Sequence, residues 1–143
     1  MTTRKPRKRK PLCTLVSVLY ADGWGIDVPI ITVSEANQRE HWRVKHKRKK
    51  SQQAMIAICL SGIHETPQQK ARICAVELHR FGGRSLDQDN LASSFKHVQD
   101  AVAKWIGIDD GNARVQWSYT QDKCDHQRGI TINLTFSQKK EAV

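Results

Sequence analysis

The stretch NLASSFKHVQDAVAKWIG places Leu91, Phe95, Val98, Val102 and Trp105 at spacings of four, three, four and three. That is one apolar stripe on a helix, and a stripe needs a partner surface to bury it. Gly107 stands where such a helix ends. The partner surface is written elsewhere in the chain. GITINLTFS alternates Ile130, Ile132, Leu134 and Phe136 with Thr131, Asn133 and Thr135, the pattern of a strand with one buried face. ARVQWSYTQDK alternates Val115, Trp117 and Tyr119, and CDHQRG between the two reads as a hairpin-type connection. ARICAVELHRFGG reads as a further strand, with Cys74, Val76 and Leu78 on one face and Ile73, Ala75, Glu77 and His79 on the other.

Nearer the start, two β-branched runs, residues 12–20 and 28–33, flank ADGWG, a turn signal, and read as a pair of strands or an extended region. Ser34 is the expected N-cap of a helix covering much of 39–60, in which Met55, Ile56, Ile58, Cys59 and Leu60 look like core. Strands, helix, then strands again describe an α+β fold, a small mixed single domain. Trp105, Trp117 and Tyr119 are expected to pack in its core. The domain is expected over 12–143, preceded by a disordered basic arm over 1–11, where six of the seven residues from Arg4 to Lys10 are Lys or Arg.

Charge narrows the function. The 143 residues carry 24 Lys plus Arg against 14 Asp plus Glu, a net +10, which points to a polyanionic partner and to nucleic acid first. No apolar run approaches the roughly 20 residues of a membrane span. The basic start is not followed by a secretory apolar segment. A cytoplasmic protein is expected, with four reduced cysteines (Cys13, Cys59, Cys74, Cys124) too widely spaced for a structural zinc site. A second basic cluster, Arg39, Arg43, Lys45, Lys47, Arg48, Lys49 and Lys50 around Trp42, reads as a phosphate-contacting surface. Arg84, in the loop before LDQDN, joins the expected DNA contacts.

Against that background the acids stand out. Between residues 87 and 110 there are five aspartates, Asp87, Asp89, Asp100, Asp109 and Asp110, and only two lysines, Lys96 and Lys104. At about 100° per residue, Lys96 and Asp100 fall within about 20° of Asp89 on a continuous helix, opposite the apolar stripe. Clustered carboxylates repel unless neutralised. A hard divalent cation does this, binding one or two carboxylates and completing its shell with water and phosphate. The spacing does not fit a calcium-binding EF-hand loop, which would need Gly and Glu where Ala92 and Val98 stand. Simple helix capping by Asp87 or Asp89 is the bland alternative, and it explains one acid only.

The string from Leu86 to Tyr119 resembles the RusA family of Holliday junction resolvases, in a form common among phage and prophage proteins. The family pattern is D-x-D-N, a helix with a Lys and then an Asp four residues later, and a D-D pair in the following turn. Asp87, Asp89 and Asn90, then Lys96 and Asp100, then Asp109 and Asp110 match it. Asn37, Arg39, His41 and Trp42 match an upstream feature loosely. The lysine follows the second Asp by seven residues here, where four is usual. The resemblance implies a homodimer that cuts branched DNA, the four-way junction, with Mg²⁺ or Mn²⁺. It implies Asp87, Asp89 and Asp110 as essential metal-binding acids, Asp109 as a supporting ligand, and Lys96 as the catalytic lysine. Phe81 is a candidate wedge for the unstacked crossover or, equally, a core aromatic. Two rivals stand beside the resolvase: a non-catalytic branched-DNA-binding phage protein with a decayed site, and a phosphohydrolase of small nucleotides.

Overall fold

A computed structural model of the chain describes the backbone of residues 17–20 and, with side chains, residues 23–35, 39–63, 65–108, 113–124 and 128–137. The basic arm, Cys13, Asn37, Asp109 and Asp110 lie outside the described residues. Among the described residues, five strands form one sheet: β1 (Ser17–Tyr20), β2 (Gly23–Val28), β3 (Ile73–Gly82), β4 (Gln116–Lys123) and β5 (Gly129–Phe136), in the order β1-β2-β5-β3-β4. Four helices are described beside them: α1 (Trp42–Ser61), the single-turn α2 (Pro67–Lys70), α3 (Gln88–Ser94) and α4 (Lys96–Ile106). The α+β class expected from the sequence is what the chain adopts. Among the described residues no helix is long and apolar enough to cross a membrane.

The alternation of β5 works as read: Ile130, Ile132 and Leu134 are buried, and they join Ile26, Val28, Val76 and Leu78 to form the covered face of the sheet. The helical stripe packs on that face through Leu91, Phe95, Val98 and Val102. Ile106 takes the last buried position while Trp105 is half-buried, with the Lys70 ammonium 4.4 Å from its ring centre. Trp117 and Tyr119 pack at the core's margin. The opposite face of the sheet is polar. Asp27 accepts a hydrogen bond from Thr131 at 2.7 Å, and Asn133 donates to Glu77 at 3.1 Å across paired strands.

Several local expectations are corrected. GWG is not a turn: Gly23, Trp24 and Gly25 begin β2, and Tyr20 pairs with Gly23 across the two residues between the strands. A Cβ on Gly23 would collide with the carbonyl oxygen of Leu134, so the glycine permits the close β2–β5 approach. Residues 30–34 are not a strand. Ser34 does not cap α1. His41 does, accepting from the Arg43 N–H, while Ser34 donates to Asn90 at 2.5 Å. Ile58 is exposed, because only Gln52, Ile56, Cys59 and Leu60 of α1 turn inward. In β3 a register shift between Ile73 and Ala75 puts Ile73 on the buried face with Val76 and Leu78, and Cys74 becomes half-buried. Cys59, Cys74 and Cys124 are not in disulfides.

The topology holds the largest correction. β4 and β5 are not a hairpin, since β3 lies between them, parallel to β4 and antiparallel to β5. Strands two positions apart are separated by about 10 Å, a gap that five residues span easily. β3, the α3–α4 pair and β4 thus form a β-α-β crossover. The passage from β4 to β5 brings Arg128 to the C-terminal end of β3, where Gly82 pairs with Lys123 and Phe81 with Gly129.

The long helix is interrupted. Phe95 has φ −95° and ψ 2°, the N–H of its backbone points to Ala92 and Ser93 carbonyls, and Ser94 Oγ donates back to Leu91 O at 2.7 Å. The apolar stripe survives the break because Phe95 itself is buried. Gly107 ends α4 in the left-handed conformation, φ 89° and ψ 32°, as expected for its position.

Candidate functional site

β3 is a ten-residue strand that delivers its chain at the open end of the β-α-β unit, the end at which such units commonly build sites. The loop 83–87 follows, and its last residues are fixed from β4. Gln121 on β4 accepts from the Leu86 N–H at 2.9 Å and donates to the Leu86 carbonyl at 2.6 Å, so one amide side chain satisfies both backbone groups. Asp87 follows directly as the N-cap of α3. Its Oδ1 accepts from the Asn90 N–H at 2.9 Å and its Oδ2 from Asn90 Nδ2 at 3.0 Å. Ser34 donates to the Asn90 Oδ1, which ties the segment after β2 to the same corner. Asp87 and Asp89 are both exposed. Asp87 thus does cap, as the bland reading required, yet each of its oxygens accepts only one described hydrogen bond and can accept another.

Asp87 and Asn90 form one wall of a cleft of about 460 Å³, with Thr32, Ser34, Arg80 and Arg84 around it. A smaller compartment of about 260 Å³ continues it past Arg80 and Arg84 to Phe81, Gly83 and Arg128. Acidic and basic groups therefore share one concavity. Arg84 is where the sequence expected a DNA contact. Arg80 and Arg128 were missed. A signal for Arg80 existed, since period two places it on the face of Val76 and Leu78, a cation at the end of a core row. Phe81 lines the smaller compartment and meets the His79 ring edge-on at 4.6 Å between centres. It is half-buried.

Lys96 is exposed at the first position of α4 and does not line the cleft. The break at Phe95 removes the continuous helical wheel on which Asp89, Lys96 and Asp100 were aligned. Asp100 is half-buried, and Asp109 and Asp110 lie outside the described residues. Among the described residues no group of three or more His, Cys, Asp or Glu side chains is arranged to hold a metal ion. Asp87 and Asp89 stand two residues apart at the N-cap and in the first turn of α3, and one or two carboxylates are what a Mg²⁺ ion takes when water and phosphate complete its shell.

The basic cluster divides. Arg39, Arg43, Lys47, Lys49 and Lys50 are exposed and Lys45 partly so, all at or along the first half of α1 beyond its buried turns. Trp42 is 65 % exposed with the Arg43 guanidinium 5.4 Å from its ring centre. Arg48 differs. Its Nε and Nη2 donate to the two oxygens of Glu35 at 2.8 and 2.9 Å, and Nη2 and Nη1 to those of Glu40 at 2.8 and 3.1 Å. These hydrogen bonds raise the Arg48 pKa, and Arg48 in turn pulls the Glu35 pKa below its usual value against the cost of burial. Arg48 is a structural link between α1 and the segment before it, not a phosphate contact. His97 packs beneath this link. Its Nε2 lies 3.5 Å from Glu35 Oε1, but neither ring nitrogen has a hydrogen-bond partner. Burial lowers its pKa more than Glu35 raises it.

No family model matches the chain, and no curated protein matches it. Among solved structures it is similar to the OmpA-like domain of FopA1 from Francisella tularensis subsp. tularensis SCHU S4, with 14 % identity, 85 % of this chain and 82 % of that chain covered, and a TM-score of 0.34. A likeness that loose carries no argument about fold or activity.

Proposed function

We propose that the chain is a metal-dependent endodeoxyribonuclease of the RusA type, which cuts four-way DNA junctions as a homodimer in the cytoplasm of a bacterium or phage-infected cell. The observation that supports this most is the shared cleft: Asp87, exposed, lines it beside arginines that no described carboxylate neutralises, and the exposed Asp89 follows two residues on. A purely electrostatic DNA-binding surface would gain nothing from a carboxylate in its cleft, because it repels the phosphates the surface grips. A bound Mg²⁺ or Mn²⁺ would supply a Lewis acid for the scissile phosphoryl group.

The chain's own residues do the rest. Asn90 holds both oxygens of Asp87 in one orientation, and Gln121 fixes the loop that presents them. Arg84 offers a fork of donors to the phosphate on the cleft's other wall. The exposed cations of α1 hold a flanking arm of the junction. Asp109, Asp110 and Lys96 keep the roles that the resemblance gives them. A twofold pair of such clefts would match the two strands cut in a junction.

A second reading has its own observation. The complete capping of α3 by Asp87 and Asn90 explains Asp87 without any metal, and a branched-DNA-binding protein without catalysis would keep it. Incubating a labelled synthetic four-way junction and a linear duplex of the same sequence with the protein decides between them. Paired symmetric nicks near the crossover, present with Mg²⁺ or Mn²⁺ and absent with EDTA, are expected. Tight junction binding with no cut in either metal would establish the binding protein.

A further inference from the structure

The arginines at the end of β3 have no evident structural reason to be where they are. Arg80 follows Val76 and Leu78 along the covered face of the sheet. Its neighbours in register are Ile130 on β5 and Gln121 on β4. Its one described hydrogen bond goes from Nη1 to the Arg84 carbonyl at 2.8 Å. Among the described residues no carboxylate pairs with Arg80, Arg84 or Arg128. A partly buried guanidinium that faces a second cation costs stability unless an anion completes the group.

Gly82 is the second observation. A Cβ there would stand 2.5 to 2.7 Å from Cζ, Nη1 and Nη2 of Arg80. The guanidinium lies folded over the glycine, in space that any side chain would take. Gly82 has no positive φ to explain it. The glycine thus makes room for the planar head of Arg80 in the lining of the smaller compartment, which Arg84 and Arg128 also line. Burial and the charge of Arg128 both press the Arg80 pKa down, which an anion would reverse.

We propose that Arg80, Arg84 and Arg128 form a seat for one DNA backbone phosphodiester, with Gly82 holding the Arg80 guanidinium in place. Because Arg80 and Arg84 also line the compartment of Asp87, the seated phosphate belongs to the strand that Asp87 faces. The choice of DNA as ligand rests on the nuclease reading. The seat itself rests on the arginines and the glycine. It acts through the planar, bidentate geometry of arginine, which lysine does not reproduce.

The test is anisotropy of a labelled four-way junction with the full chain in EDTA, over a range of salt, for the wild type and for R80Q, R80K, R128Q and G82A. Thermal melting is recorded for each. R80Q and R128Q are expected to bind about tenfold more weakly and each to lower the salt slope by part of the roughly 0.9 that one neutralised phosphate contributes. R80K should keep most of the slope and lose affinity. G82A should weaken binding as R80Q does, since it displaces the same guanidinium while leaving the charge in the chain. None of these variants should melt lower than the wild type. Unchanged affinity and slope in R80Q and G82A would overturn the seat, as would a lower melting temperature with binding intact, which is the signature of a structural arginine. Cleavage of the same junction by wild type in Mg²⁺ keeps the two readings apart. Weakened binding by the arginine variants with no wild-type cleavage supports the seat and sinks the nuclease. Wild-type cleavage with unaffected arginine variants does the opposite.

Discussion

The first half of α1 and the end of β3 are both basic, and they are basic in different ways. On α1 the cations follow one another in sequence, project from a helix into open solvent, and are interrupted only by Arg48, which two glutamates hold. At the end of β3 the cations come from three places, the strand, the following loop and the start of β5, and they line a concavity that also contains Asp87. The first arrangement attracts any polyanion and gives little geometry. The second is a small number of donors with walls. The comparison assigns grip without geometry to α1 and positioning to the cleft, so that damage to α1 should cost affinity alone and damage to the cleft's acids should cost cutting.

The largest expected effect is in the cleft. Asp87→Asn should reduce junction cleavage on the order of a hundredfold or more, because a ligand of the polarising ion loses its charge. Asn keeps the cap to the Asn90 N–H but cannot also accept from Asn90 Nδ2, so the melting temperature should fall only slightly. Asp87→Ala should lose the same activity and about 1 kcal/mol of stability besides, measured by urea unfolding. A cleavage loss that appears only in the alanine variant would mean that Asp87 is a cap and nothing more.

On α1 the triple change Lys45→Gln, Lys47→Gln and Lys49→Gln should lower the slope of log affinity against log salt by about 0.9 for each phosphate that a lysine no longer neutralises. The weakening should be alike for linear and four-way DNA, with cleavage at saturating protein unchanged. Weakening restricted to the four-way substrate would erase the division of labour. Arg48→Ala sharpens the same contrast from the other side. It should cost about 1–3 kcal/mol in urea unfolding, because two partly buried carboxylates lose their common donor, and it should leave the salt slope unaltered. A slope change near 0.9 would return Arg48 to the phosphate surface.

What could be read from the sequence was what depends on near neighbours in the chain. The period of β5, the stripe from Leu91 to Val102 and the stop at Gly107 each express one local rule, and each holds in the fold. Partner choice between strands does not. CDHQRG has the length of a hairpin connection, but β3 is the strand between its two ends, and only tertiary packing decides that. The break at Phe95 was hidden because the residue is apolar and stays in the stripe. For the same reason the alignment of Lys96 with Asp89 was overdrawn. The acid pair was legible as an anomaly of charge. Gln121, Ser34, Arg80 and Arg128, which surround it, come from elements distant in sequence and carry no motif. Arg48 looked like its basic neighbours because its two glutamate partners precede the helix.

The smallest effect expected is on pH. Burial holds the folded His97 below its ordinary 6.5, so as pH falls through about 6.5 the unfolded chain takes up a proton that the folded chain does not. Stability is complete above that value and declines below it. Glu35, also lowered when folded, adds to the decline once pH passes below 4.5. His97→Gln should flatten the first part of the curve, in urea midpoints taken from pH 7.5 to 5, and leave junction binding unaltered at pH 7.5.

The most direct test of the account separates binding from cutting at Asp89. Junction affinity in EDTA and junction cleavage in Mg²⁺ are measured side by side for the wild type and Asp89→Asn. Cleavage by the wild type is expected, with equal or tighter binding by the variant, which carries one repelling charge fewer, and no cleavage by it. Cutting by Asp89→Asn at the wild-type rate would contradict the account.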